Sequence, residues 1–151
     1  MRKILVFITF IIIFTCSIFS QGRDRLISVS ELPKNSIGFL NKYYYGNRCV
    51  LVKAEYDPWL DDYHVFLNEG TRIEFSKSGK LKEIKTRNRK GIPFSILPKE
   101  IVLDLIKRYK NPIIREYQID IETSRKTYYE VTLIDGLELT YNKRFKLIDI
   151  D

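Results

Sequence analysis

Tyr129-Glu130-Val131-Thr132-Leu133-Ile134-Asp135-Gly136-Leu137-Glu138-Leu139-Thr140-Tyr141-Asn142-Lys143 alternates apolar with polar residues on both sides of an Asp-Gly. Alternation with period two places every second side chain on one face of a strand. An Asp-Gly between two such runs is the strongest short-range signal for a β-hairpin. Tyr63-His64-Val65-Phe66-Leu67-Asn68-Glu69-Gly70-Thr71-Arg72-Ile73-Glu74-Phe75-Ser76-Lys77 carries the same pattern at an offset of 66, with five of 15 positions identical and no gap. The chain therefore reads as a duplicated unit.

Outward from the hairpins, each unit begins with Leu-Pro-Lys. Leu32-Pro33-Lys34 and Leu97-Pro98-Lys99 put proline in a first helical turn, where its missing N–H costs nothing. Ile37, Leu40 and Tyr44 follow at helical spacing in the first, although Gly38 weakens it. Ile101, Val102, Leu105, Ile106 and Tyr109 form the apolar face of the second, which Asn111-Pro112 ends. Six of 13 positions agree between residues 32–44 and 97–109. Strands are predicted over 50–56 and 116–122 before the hairpins, and over 80–85 and 145–150 after them; residues 21–26 read as a loose lead-in. The domain plan is a signal peptide at 1–20, repeat one at 27–85, a basic linker at 86–91 and repeat two at 92–151.

Strand parity assigns the faces. Val50, Val52, Ala54, Tyr63, Val65, Leu67, Ile73 and Phe75 share one side, as do Tyr117, Ile119, Ile121, Tyr129, Val131, Leu133, Leu137, Leu139 and Tyr141 in the second unit. The other side carries Lys53, Glu55, His64, Phe66, Arg72 and Glu74, then Gln118, Asp120, Glu130, Thr132, Glu138 and Thr140. The expected fold is α+β: two tandem helix-plus-antiparallel-meander repeats forming one roughly eight-stranded sheet, with helices on one face and the other open.

Met1-Arg2-Lys3, the apolar run at 4–19 and the polar turn at Ser20-Gln21-Gly22-Arg23 have the layout of a secretory signal peptide cut after Ser20. The apolar run is short for a span of about 20 residues, so no stable membrane span is expected after cleavage. A lipoprotein acylated at Cys16 fits poorly, because Thr15 stands where a small residue is wanted. Cleavage removes Arg2 and Lys3 and lowers the net charge from +7 to +5. Export to the periplasm or medium removes nucleic acid as a partner, and it leaves Cys49 as the single cysteine.

Catalytic chemistry is not legible. With the turn closing near Trp59, His64 is expected across from about Glu55, which leaves Cys49 near 20 Å away at roughly 3.3 Å per residue. A nucleophile and its base need about 3 Å. With one His and no Cys-x-x-Cys, zinc is not expected. Asp57, Asp61 and Asp62 lack the EF-hand spacing for calcium and read as a turn. No catalytic residue, metal ligand or cofactor site is assigned.

A Leu-Pro-started helix, a Val/Ile strand, a Tyr-x-Val-x-Leu strand, a Glu-Gly or Asp-Gly turn and an apolar-x-aromatic strand ending in Ser-Lys or Asn-Lys, all occurring twice, resemble the PepSY-like family. That family is also described as beta-lactamase-inhibitor-like and is common in exported proteins of Bacteroides-type bacteria. The resemblance covers residues 29–151. It implies a continuous sheet with an open face, and binding or inhibition of another protein.

Three function classes remain. The first is an exported, non-enzymatic module that grips an unknown extracytoplasmic protein, enzyme inhibition being one form of this, through Trp59, His64, Phe66 and Arg72. Exposed aromatics beside arginine are the material of protein-binding surfaces. Phe66 has a competing reading, in which the Trp59 loop or the termini cover it. The second class is a small-ligand or envelope-sensing domain, using the space between sheet and helices, with the basic run at 85–90 meeting anionic lipid or glycan. The third is an enzyme.

Overall fold

The computed structural model describes residues 23–56, 61–123 and 126–151. The chain runs β1 (Arg23–Leu26), a 3-10 turn (Val29–Glu31), α1 (Lys34–Tyr43), β2 (Cys49–Tyr56), β3 (Asp61–Leu67), β4 (Thr71–Ser76) and β5 (Leu81–Thr86). It continues with a second 3-10 turn (Phe94–Ile96), α2 (Lys99–Arg108), β6 (Ile114–Thr123), β7 (Lys126–Leu133), β8 (Glu138–Asn142) and β9 (Leu147–Ile150). The proposed signal peptide, Asp57 and Trp59 lie outside the described residues.

Every strand pairs antiparallel with its sequence neighbours, in the order β1 to β9. The fold is α+β with one open antiparallel sheet. Among the described residues it has nine strands rather than about eight, because Arg23–Leu26 is not a loose lead-in but an edge strand whose Arg25 pairs with Ala54. Its polar sequence hides it: the unpaired N–H and C=O groups along β2 recruit it through the backbone, not through an apolar pattern. The junction left open by the sequence is made by β5 and β6, through Glu83↔Gln118, Ile84↔Tyr117 and Lys85↔Glu116.

Both hairpins form in the expected register, with Val65 opposite Ile73 and Val131 opposite Leu139. All four side chains are buried. Gly70 and Gly136 adopt φ of 86° and 93° at the turns, a region open to glycine because it lacks Cβ. A single apolar cluster fills the space between sheet and helices. Leu40 and Tyr44 reach it from the α1 side, Ile101 and Leu105 from α2, and Phe75, Ile84, Tyr117 and Tyr141 from the sheet. The hydroxyl of Tyr141 donates to Asp104 Oδ2 at 3.1 Å, and Asp104 also accepts from Arg108 Nε at 2.7 Å, tying α2 to β8.

Three expected core residues are exposed instead. Val50 is 63% exposed because it is the extra residue of a β-bulge between Cys49, opposite Leu67, and Leu51, opposite Phe66. A bulge reverses parity on its far side. Ile121 is 64% exposed. It has the right parity but lies too far along β6: ten strand residues extend about 33 Å, whereas a ten-residue helix covers about 15 Å. Ile106 is exposed because the buried line of α2 runs through Ile101 and Leu105, and a neighbouring position is rotated by about 100°. Among the described residues no helix is long and apolar enough to cross a membrane.

Candidate functional site: the open face of the sheet

Residues opposite the core side chains on β2 to β8 project from a sheet face that neither helix covers. Cross-strand pairing brings three of the four expected site residues together. Phe66 stands opposite Arg72 and His64 opposite Glu74 on β3 and β4. Trp59 lies in the undescribed connection between Tyr56 and Asp61.

His64 is held between carboxylates, with Nε2 3.0 Å from Glu55 Oε2 and Nδ1 3.5 Å from Glu74 Oε2. Its side chain is only 15% exposed. Arg72 Nη2 reaches Glu74 at 3.2 Å and Glu83 at 3.1 Å. Lys82 Nζ joins Asp62 at 2.6 Å and Glu74 at 2.8 Å. Burial by itself would raise the Glu74 carboxyl, but Lys82, His64 and Arg72 together bring it below the ordinary carboxylate range. Burial would lower Lys82, yet its bonds to Asp62 and Glu74 hold it above the usual lysine value. These groups form a linked charge lattice rather than independent surface pairs, so their side chains are pre-positioned.

Acidic residues crowd the second half of the face. Burial raises Glu83, and despite Arg72 its proximity to Glu116 and Glu74 keeps it raised. Burial, then Glu138, Asp120 and Glu116, raise Glu130. A carboxyl raised on folding opposes stability above its folded pKa and ceases to do so below its unfolded one. Glu130→Gln is therefore expected to raise stability at pH 7 by roughly 0.3 kcal/mol, because Glu138, Asp120 and Glu116 stand diagonally across the strands rather than directly opposite and solvent screens the partly exposed site. Its advantage should vanish below about pH 4, near the unfolded glutamate value. Paired denaturant titrations at the two pH values check this, and an equal gain at both would contradict the charge argument.

Phe66 is half-buried, between the two states weighed from sequence. It lines a recess of about 700 Å³ with Arg72, Lys85, Arg87, Arg115 and Glu116. Lys85 forms an ion pair with Glu116. A second recess, about 460 Å³, lies toward the opposite strand ends beside Asp62, Glu74, Lys82, Glu83 and Asp120. Sequence reasoning did not join Arg87 and Arg115 to Phe66. Arg87 belonged to a run read as a linker, and Arg115 stood just before the predicted start of its strand. Only the β5–β6 pairing brings both to Phe66.

Cys49 and His64 form no dyad. His64 pairs with Lys53, two residues from the expected Glu55, so Cys49 lies four residues along β2, about 13 Å away at 3.3 Å per residue. Cys49 packs against the core cluster, and burial raises its thiol pKa, disfavouring the nucleophilic thiolate. Among the described residues, no group of three or more His, Cys, Asp or Glu side chains could hold a metal ion.

Residues 61–149, more than half of the chain, match the family described as "Putative beta-lactamase-inhibitor-like, PepSY-like". Among solved structures, one similar protein is described as a putative periplasmic protein of the DUF2874 family from Bacteroides vulgatus. It is 26% identical, with a TM-score of 0.74 over 85% of this chain and 96% of the other. Another, described as a putative calcium-regulated periplasmic protein from Bacteroides thetaiotaomicron, is 27% identical with the same TM-score and coverages. A third, a putative periplasmic protein of unknown function from Bacteroides vulgatus, shares the fold at 24% identity and TM-score 0.75, over 85% of this chain and 99% of the other. No curated protein matches the sequence.

Proposed function

Because the chain belongs to the PepSY-like, beta-lactamase-inhibitor-like family, we propose that it is an exported, non-enzymatic module that binds an extracytoplasmic protein, inhibition of an enzyme being one form such binding takes. In this reading two repeats, 27–85 and 92–151, joined at 86–91, present one continuous open face to the partner. The contact centres on His64, Phe66 and Arg72, with Trp59 contributed by the connection before β3. The observation that carries the reading is the half-buried Phe66 ring set among pre-positioned charges on the uncovered face. An aromatic anchor ringed by polar groups is the arrangement of an interface hot spot. The signal-like first 20 residues and the periplasmic description of the similar structures support export.

The test is to isolate the partner with wild-type protein from native periplasm or medium, and then to measure its affinity for variants. Phe66→Ala, alone and combined with Trp59→Ala, is expected to weaken binding at least about tenfold, the loss of a moderate hot spot. Leu103→Ala, at an exposed position on α2, should leave affinity unchanged. The opposite ranking would place the interface on the helical side and overturn the reading. The alternative, an envelope-facing domain that meets anionic lipid or glycan through 85–90, draws on cations of the same recess, and the vesicle measurement below separates it.

A further inference from the structure

The open face is electrically divided along the strands. At the Gly70 end, four cations (Arg72, Lys85, Arg87 and Arg115) and one carboxylate, Glu116, surround Phe66. At the other end, Asp62, Glu74, Glu83 and Asp120 outnumber Lys80 and Lys82. The four cations of the first recess are not equivalent. Arg72 is engaged by Glu74 and Glu83, and Lys85 by Glu116, so both are fixed walls. Arg87 and Arg115 are exposed, and neither guanidinium meets a carboxylate within ion-pair distance among the described residues. They come from different strands, one just past the end of β5 and the other near the start of β6, and converge on one recess only because those strands pair.

We infer that the recess of Phe66, Arg72, Lys85, Arg87 and Arg115 receives an acidic segment of the partner protein. The inference rests on the binding reading above and specifies the partner's chemistry. A guanidinium presents a planar fork of donors that matches a carboxylate bidentately, and two unspent forks suit two carboxylates. The Phe66 ring gives the aliphatic stems of the same segment an apolar surface. The acidic recess at the opposite end repels the segment there, so the divided face sets its position as well as its affinity.

The experiment measures binding of a fluorescently labelled oligo-glutamate peptide, and separately of phosphatidylglycerol vesicles, to the full mature chain. It compares wild type, Arg87→Glu/Arg115→Glu and, as a charge-matched control, Lys143→Glu/Arg144→Glu at a different basic recess. The expected result is peptide binding that weakens with salt. It should fall at least about tenfold in the Arg87/Arg115 variant, and remain within about twofold of wild type in the control. The Arg87 and Arg115 side chains are exposed, so the melting temperature should be unchanged and confirms folding. Absence of peptide binding by wild type, or equal loss in both variants, overturns the inference. So does vesicle binding that depends on Arg87 and Arg115 while the peptide fails to bind. If the isolated partner is lost on Phe66→Ala but held by Arg87→Glu/Arg115→Glu, the open-face reading stands and the acidic-segment inference falls.

Discussion

Phe75→Ala is expected to lower the unfolding free energy by about 4 kcal/mol, within the range for deleting a fully buried aromatic ring. Phe75, near the C-terminal end of β4, is 0% exposed and meets Phe39 of α1 edge-on, with ring centroids 5.5 Å apart. The pair adds about 1 kcal/mol beyond burial alone. α1 has little stability of its own. Ten residues are too few for an independent helix, and Gly38 in its interior costs about 1 kcal/mol relative to alanine. Its amides should therefore lose hydrogen-exchange protection in Phe75→Ala before those of α2, which packs through Ile101 and Leu105. A denaturant midpoint shift equivalent to less than about 1.5 kcal/mol would mean that the site collapses around the deletion. Earlier exchange in α2 would contradict the assignment of Phe75 to the α1 anchor.

Gly91→Ala has the second large expected effect, about 3 kcal/mol of destabilisation. Gly91 has φ of 72°, and a side chain there carries a left-handed backbone penalty of roughly 1–2 kcal/mol. Its Cβ would also stand 2.7 Å from Ile113 Cγ2, 2.8 Å from the Ile114 carbonyl oxygen and 3.2 Å from the Ile114 amide nitrogen. A methyl can move aside, but that carbonyl is held by a 2.8 Å hydrogen bond from Ile92 N. Forcing the backbones apart strains the start of β6, the strand that joins the two halves of the sheet. Gly136→Ala is the matched control: its φ is 93°, but the added Cβ meets nothing within 4 Å. Its cost should be confined to backbone conformation, about 1–2 kcal/mol. Equal losses in the two variants would show that the close approach at Gly91 carries no energetic weight.

The elements legible from sequence are those whose information is local. Asp135-Gly136 and Glu69-Gly70 announced their turns, and Val65, Ile73, Val131 and Leu139 announced a buried face, because a two-residue period leaves no second way to hide them. Leu-Pro-Lys marked both helix starts, although the pattern on α2 overreached at Ile106. Parity also placed His64, Phe66 and Arg72 on one face. It failed at Val50, where a single bulge residue inverted it. It also missed the exposure of Ile121, since periodicity says which way a side chain points and not whether a helix extends far enough to cover it.

Asp135-Gly136, with its partner turn at Glu69-Gly70, thus carried the fold class, the two faces and the helix-covered core, because short-range chemistry and period-two geometry suffice for all three. The ninth strand, the union of β5 with β6 and the gathering of Arg87 and Arg115 beside Phe66 were decided only in three dimensions. Each depends on which backbone edge finds which partner, and backbone hydrogen bonding carries no side-chain signature. The division of the open face into a basic and an acidic end belongs to the same class: it arises where strands distant in sequence lie side by side.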